Sequence, residues 1–567
     1  MAEQKEGMVK MWDALPGYDF NEKVDLADID SWFFDGTHCV PALTPMYSWF
    51  WTRDAGYGAE YAHETLSSPR SKGYAARDFQ GGTYVGMHIV RDEAEIEART
   101  NKFREALIPW IEDFDGKWEG YRDELLGLYN KLKAVDLEKA AGIELYAHLH
   151  DMISTHRRMW EIHYLGMIVS YSAIMLLEDL VKPYGLTSES PEFQNMFRGF
   201  NNNVFQVDRK LWKLAKDAIE KGLGDVILQN EIGEVIGKLE EIEDGKEWLK
   251  NLHSILEVDG WRMVRMQDFN EPYWLEDPST AILPIRAFIK KGGDYDLDKI
   301  RGELAVSRKE AIEALLNKVP EGDRAWFEAL INLGGKASSY SEEHDLDCEL
   351  HCNAVLRRGF LGIGKRFAEA GTLDKPDDIF FLNPHEVEMA VISPEFHKLQ
   401  YIANRRREHW EKTKLSEFPP VFTKRSSIEE AIGMDLMPSG DPMIIKIIVG
   451  ELPQVNEELE ADIYGVCGAP GVAEGPARVI MSYNQLDEIQ NGEILVCPGT
   501  NPAWTPIFGL IKAVVSDRGG TLSHTAIVGR EYGLPTLVNT FTATSIIKTG
   551  QRIRVDANQG AIFILDK

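Results

Sequence analysis

Cysteine is scarce and scattered. The five present, Cys39, Cys348, Cys352, Cys467 and Cys497, are odd in number and do not suggest a disulfide framework, so a reducing compartment is expected. Positive charge is also short. Lys and Arg total 62 against 91 Asp and Glu, a formal net charge of −29. That argues against nucleic acid or an anionic membrane surface as the main partner, and its plain meaning is solubility. Long apolar runs are missing. The most apolar stretch, Leu165 to Leu177, is too short to span a bilayer and is flanked by His163 and Glu178, so it reads as a buried helix. The opening Met-Ala-Glu-Gln-Lys-Glu has no apolar core behind a basic start, which predicts no signal peptide and a cytoplasmic protein. There is no second Cys/His pair beside Cys348, His351, Cys352 and His344, and their spacing fits one helix face better than a zinc fold, so no metal site is expected. No glycine-rich phosphate loop with a following Lys precedes the helical region, and no repeat or low-complexity tract stands out.

What is present is a chain of 567 residues, 44% hydrophobic, long enough for more than one domain. Residues 1 to about 95 are dense in aromatics and turn residues, with Trp32-Phe33-Phe34, His38, Trp49 and Trp51 among them. Such density points to a core or to an apolar pocket for a ring-bearing substrate. Gly81-Gly82 followed by Thr83 to His88 reads as a turn into a strand. From about 93 to 335 the spacing is helical. His156, Trp160 and His163 fall at i, i+4 and i+7 on one helix face, either as half-buried bundle residues or with one reaching a substrate as a base. Pro419-Pro420, Pro438-Ser439-Gly440-Asp441-Pro442 and the acidic Glu457 to Asp462 mark residues 436–460 as a linker between a domain at 1–435 and one at 461–567.

The stretch from Gly519 to Arg530 carries the most chemistry. The apolar run Ile511 to Val515 predicts a buried strand. Gly519 and Gly520 allow a tight turn and close backbone approach. Ser523 is a good helix N-cap, and Gly533 and Pro535 end a helix that starts at His524. A histidine in the first turn of a helix, beside free N–H groups and the positive end of the dipole, can act as a nucleophile that carries a phosphoryl group. The other reading is a histidine that packs or caps. Thr521 and Ser523 could donate hydrogen bonds to phosphoryl oxygens, and Arg530 could offset their charge.

Gly-Gly-x-Leu-Ser-His-x-Ala-Ile-Val-x-Arg-Glu-x-Gly-x-Pro resembles the phosphohistidine swivelling domain of enzymes related to phosphoenolpyruvate synthase. Gly468 to Val479 resembles that domain's opening hairpin, and Gly492 to Val496 and Val555 to Gly560 its later strands. Shorter segments are similar to the antibiotic-phosphorylating members, the rifampicin phosphotransferases. These are Thr44-Pro45, Gly260-Trp261-Arg262 with Asp268 and Pro272 to Pro278, Glu342-Glu343-His344 at the start of a long helix, and Asp377 to Leu382. The resemblance implies an α+β multidomain protein: a large, mainly helical acceptor-binding domain plus a C-terminal β/β/α swivelling domain.

It also implies that His524 is phosphorylated, on Nε2, and then hands the group on. Neither an ATP-grasp nucleotide-binding domain nor the phosphoenolpyruvate barrel is recognised here. An ATP-grasp-type partner subunit holding ATP and Mg2+ is therefore expected, with no cofactor in this chain. Among the family, that division of labour is similar to the phenylphosphate synthases. The specific expectation is the histidine-bearing subunit that phosphorylates phenol, with His38, Trp49, Trp51, His156 and Trp160 lining an aromatic substrate site. Catalytic candidates beside His524 are His344, Glu342, Glu343 and Arg262, and phosphate-binding candidates are Gly519, Gly520, Thr521, Ser523 and Arg530. Phosphorylation of a larger hydroxylated compound, or a phosphocarrier signalling to a protein, are the alternatives.

Overall fold

A computed structural model describes residues 29–566 except 37, 80, 201, 294, 415, 417 and 442–449. The opening residues on which the signal-peptide expectation rested, and the middle of the expected linker, lie outside the described residues. The chain forms two compact units, each from separate stretches: Met1–Val169, Met266–Glu271 and Asp347–Asp441 in one, and Ser170–Arg265, Pro272–Leu346 and Pro442–Lys567 in the other. Compactness thus groups the C-terminal stretch with part of the helical region, whereas the expected division at 435 and 461 separates them.

The first unit holds an antiparallel four-stranded sheet of β1 (Ser31–Phe34), β2 (Ser71–Phe79), β3 (Gly82–Ile89) and β4 (Val421–Thr423), in the order β2-β3-β1-β4. The turn between β2 and β3 is closed by the Gly81 amide, which donates to Asp78 at 3.0 Å, and Gly81 takes a φ of 92° that favours glycine. Helices Glu93–Glu112 and Phe114–Lys133 follow, each started by an aspartate, Asp92 or Asp113, that accepts from the backbone N–H three residues on. Helix α1 (Gly142–Val181) contains the apolar stretch singled out above, and the division between the units falls within it. By length and composition this helix could cross a membrane, but 67% of its apolar window is buried inside the protein.

In the second unit, helices α2 (Asn203–Glu220), Glu243–Asp259, Ile282–Lys291 and α3 (Arg324–His344) accompany an eight-stranded sheet. Its strands are β5 (Ile463–Tyr464), β6 (Val466–Ala469), β7 (Val472–Val479), β8 (Ile494–Cys497), β9 (Ala513–Ser516), β10 (Thr536–Val538), β11 (Arg552–Asp556) and β12 (Ala561–Ile564), ordered β5-β12-β11-β7-β8-β9-β10-β6. The centre, β7-β8-β9-β10, is parallel. Central parallel strands are covered on both faces and so read as continuous apolar runs. Ile494, Val496, Ala513 and Val515 point into a core beneath one face. Their neighbours Leu495, Cys497 and Val514 join a second core that includes Leu211, Trp248, Trp274 and Ile285 from the helices and Trp504 and Phe508 from the loop after β8. One alternating pattern therefore serves two cores, and the C-terminal sheet shares one of them with the helices.

Two local expectations change. The Gly468–Val479 segment is not a hairpin, because β6 pairs with β10 while β7 pairs with β11 and β8. Gly471, with φ 138°, sends the chain onward, and its N–H and C=O are taken by Asn558 and Ala557. Glu342 to His344 ends a helix instead of starting one, since α3 already runs from Arg324.

Candidate functional site

Helix α4 spans His524–Tyr532, the bounds set by the signals in the sequence, and Gly533 caps it in the left-handed region at φ 65°. Gly519 also has a positive φ, 100°, and a Cβ there would lie 2.7 Å from Ser523 Oγ, so this turn excludes side chains. Ser523 occupies the N-cap position with extended φ and ψ but makes no side-chain cap. Its hydroxyl donates at 2.8 Å to the Gly520 carbonyl, which leaves the first amides of the helix without that partner.

His524 sits at the start of α4, 9% exposed. Glu342, near the end of α3 and 1% exposed, faces it, with Nδ1 3.2 Å from one carboxylate oxygen and 3.1 Å from the other. A carboxylate only accepts, so Nδ1 is the donor of this pair, and in the neutral ring the lone pair is then on Nε2. Nε2 is buried and has no hydrogen-bond partner among the described residues. Beside it, Thr525 Oγ1 meets the Thr500 amide at 3.1 Å and the Thr500 hydroxyl at 2.9 Å, which ties the loop after β8 to the first turn of α4.

Glu342, Glu343 and His344 were indistinguishable as candidates in the sequence, and helix geometry separates them. Glu342 reaches His524. Glu343 is half-buried at the next position. His344, two positions on, is turned to the other side of α3, where Nδ1 faces the Tyr340 carbonyl at 2.7 Å, Nε2 lies 3.1 Å from Asp345, and the ring stacks on Tyr340. Arg262 is fully buried, donates to the Pro502 carbonyl and lies 4.9 Å from the centre of the Trp274 ring. Its Nε and Nη1 have no hydrogen-bond partner among the described residues, and burial holds its pKa below the usual value.

The phosphate-binding candidates lie around this helix. Arg530 is buried, with Nη1 2.7 Å from both Gln194 Oε1 and the Gly468 carbonyl, and burial pulls its pKa down to about 10. Thr521 and Arg530 share a narrow crevice with Gln194, Phe197 and Leu522. The Thr521 amide and hydroxyl both donate to Glu451, at 2.9 and 2.6 Å. At the far end of α4, Tyr532 donates to Asp208 on α2 at 2.9 Å, and burial raises the Asp208 pKa to about 7. Glu531 pairs with Arg301.

The aromatic candidates all lie in the other unit. His156 is fully buried, with Nδ1 2.7 Å from Asp54 and Nε2 accepting from Trp160 Nε1 at 3.3 Å, so both ring nitrogens are engaged. Trp160 packs edge-on against Trp51 at 5.0 Å, and Trp49 lies under the Arg53 guanidinium at 3.6 Å. His38 Nδ1 faces Asp35 at 3.0 Å. Burial lowers its pKa, but the Asp35 carboxylate outweighs this, so the net shift is upward. As described these residues form a tightly packed, hydrogen-bonded cluster. The motif residues Thr44 and Asp268 meet in the same unit, the Thr44 amide donating to Asp268 at 2.7 Å. Sequence reasoning missed Glu451, Asp208 and Gln194. They sit in unremarkable local sequence, and only their spatial partners single them out.

Residues 489–560 match the PEP-utilising enzyme mobile domain, and residues 163–342 match the rifampicin phosphotransferase fourth domain. The chain is 30% identical over 387 residues to the uncharacterised phosphotransferase YvkC of Bacillus subtilis (strain 168), covering 67% of this chain and 44% of that protein. It is 27% identical over 556 residues to chondramide synthase cmdD of Chondromyces crocatus, covering 94% of this chain and 14% of that protein. It is 29% identical over 337 residues to the rifampicin phosphotransferase of Bacillus subtilis (strain 168), covering 58% and 36%. The chain thus spans less than half the length of each of these relatives.

Proposed function

We propose that this chain is the histidine-bearing part of an ATP-dependent phosphotransferase, cytoplasmic, which carries a phosphoryl group on Nε2 of His524 and delivers it to a hydroxyl. The observation that carries the reading is the state of the His524 ring. Nδ1 is held by the Glu342 carboxylate, while Nε2 is buried and unpartnered among the described residues in the first turn of a helix. The mobile-domain match over this helix supports it. Attack of Nε2 on phosphorus makes the ring cationic, and the Glu342 carboxylate offsets that charge, as a carboxylate does behind any nucleophile-activating histidine. The same pairing keeps the ring a good leaving group for the second step. There the acceptor oxygen bonds to phosphorus, the N–P bond breaks, and the hydroxyl proton passes to a base. Phosphoryl transfer depends on positioning and charge neutralisation, which suits the buried arginines Arg262 and Arg530.

ATP and Mg2+ belong in this reading to an ATP-grasp-type partner that delivers a pyrophosphoryl group to His524, one phosphate then leaving, with AMP as the other product. The acceptor we favour is a small aromatic hydroxyl, phenol giving phenylphosphate, because the first unit is built on an aromatic cluster. A phenol hydroxyl has a pKa of about 10, so a nearby cation or base assists its ionisation. A larger hydroxylated acceptor such as an antibiotic is the second reading, favoured by the rifampicin phosphotransferase match over 163–342.

The intact mass of the chain from its native host, before and after mild acid, tests the carrier role. An acid-labile phosphoryl group on His524 is expected, and its absence even with ATP and whole extract would sink the reading. Incubating the phosphorylated chain with phenols and with larger hydroxylated compounds then separates the two acceptor classes.

A further inference from the structure

Glu451 lies just ahead of the C-terminal sheet and takes part in no step described above. Its carboxylate is engaged by one residue of the carrier loop. One oxygen accepts from the Thr521 amide at 2.9 Å and the other from the Thr521 hydroxyl at 2.6 Å. The backbone is fastened separately. The Glu451 carbonyl accepts from Asn539 Nδ2 at 2.8 Å, and Gly450, at φ 74°, passes so close to the loop that a Cβ there would lie 2.6 Å from the Gly519 carbonyl. Buried Arg530 lines one narrow crevice together with Thr521. A two-oxygen anion thus rests on an amide and a hydroxyl three residues before His524, at a residue that shares a crevice with a buried arginine. Charge-assisted hydrogen bonds of this kind are the strong ones, and the donors suit phosphoryl oxygens equally well.

We propose that Thr521 and Arg530 form an oxyanion subsite for the phosphoryl group of phospho-His524, and that Glu451 is its internal occupant, which must yield when His524 is charged. The proposal rests on the reading of His524 as a carrier. Two anions cannot share one set of donors without repulsion, so Glu451 opposes phosphorylation until it is displaced. Because Gly450 and Asn539 fasten the backbone at Glu451 independently, the carboxylate can leave the donors while that backbone stays in place.

The test uses the full chain with phosphoramidate, which needs no partner subunit. Nε2 of His524 bonds to phosphorus, the P–N bond breaks, and the nitrogen departs as ammonia. Phosphorylation is followed by intact mass and 31P NMR in the wild type, Glu451→Gln and Glu451→Ala, with His524→Ala as the blank. Both Glu451 variants are expected to be phosphorylated on the order of tenfold faster, the worth of one charged hydrogen bond removed. Equal or slower rates in both, with His524 modified, overturn the subsite and leave the carrier reading standing. If His524 is modified in no variant, the carrier reading fails and the subsite with it.

Discussion

A neutral imidazole that donates from one nitrogen to a carboxylate has its lone pair on the other. The Glu342 carboxylate makes Nδ1 the donor, which in the neutral ring leaves the lone pair on Nε2, the atom that the proposed transfer uses. Glu342→Gln keeps the shape and removes the charge. Single-turnover phosphoryl transfer from phospho-His524 is expected to slow on the order of a hundredfold, with acceptor KM little changed, while His524→Ala abolishes it. A Glu342→Gln variant with wild-type rates would show that the carboxylate only packs. Asp208 makes a different prediction. Burial raises its pKa from 3.8 to about 7, so the folded protein holds this proton more tightly than the unfolded chain. Unfolding then releases it, and stability falls as pH rises from 3.8 to about 7. Denaturant titrations across that range should show wild-type stability falling relative to that of Asp208→Asn as pH rises.

At the scale of the element, α4 shows how backbone contact overrides propensity. Replacing glycine by alanine inside a helix ordinarily stabilises by about 1 kcal/mol. At Gly529, however, a Cβ would lie 2.1 Å from Thr536 Oγ1, so α4 packs directly on β10 there. Gly529→Ala should push helix and strand apart and destabilise by about 1–3 kcal/mol. At Gly302, inside helix Leu297–Leu316, nothing lies within 4 Å of the added methyl. Gly302→Ala should raise the Tm, and a matched pair of thermal melts checks both signs. The α4 boundaries were legible because strand, glycine turn, N-cap and C-terminal glycine lie next to one another in the chain. The end of α3 was not, because Glu342 to His344 carry no local stop signal and a π-helical turn, Asp345–Leu350, follows.

At the scale of the whole molecule, the division at 435 and 461 suggests a separable carrier, yet the helices of the second unit and the C-terminal sheet bury one common core. A chain stopped at 440 would lose Trp504 and Phe508, whose loop packs on helix Ile282–Lys291, and so would open the part of this core around Ile285. Such a fragment is expected to bind a hydrophobic dye strongly and to aggregate, whereas the full chain does neither. A fragment that stays monomeric and leaves the dye dark would show that the helices close over their own core.

The sequence by itself determined helix α4, its histidine, the glycine turn before it and the α+β class, because each depends on contacts within a dozen residues or on a period read along the chain. The tertiary structure alone decided which of Glu342, Glu343 and His344 meets His524, where β6 and β7 pair, and that Glu451 rests on Thr521. Those contacts join residues 182, 67 and 70 positions apart. Local propensity carries no signal over such separations. Only the packing of one element on another brings such groups within hydrogen-bond distance.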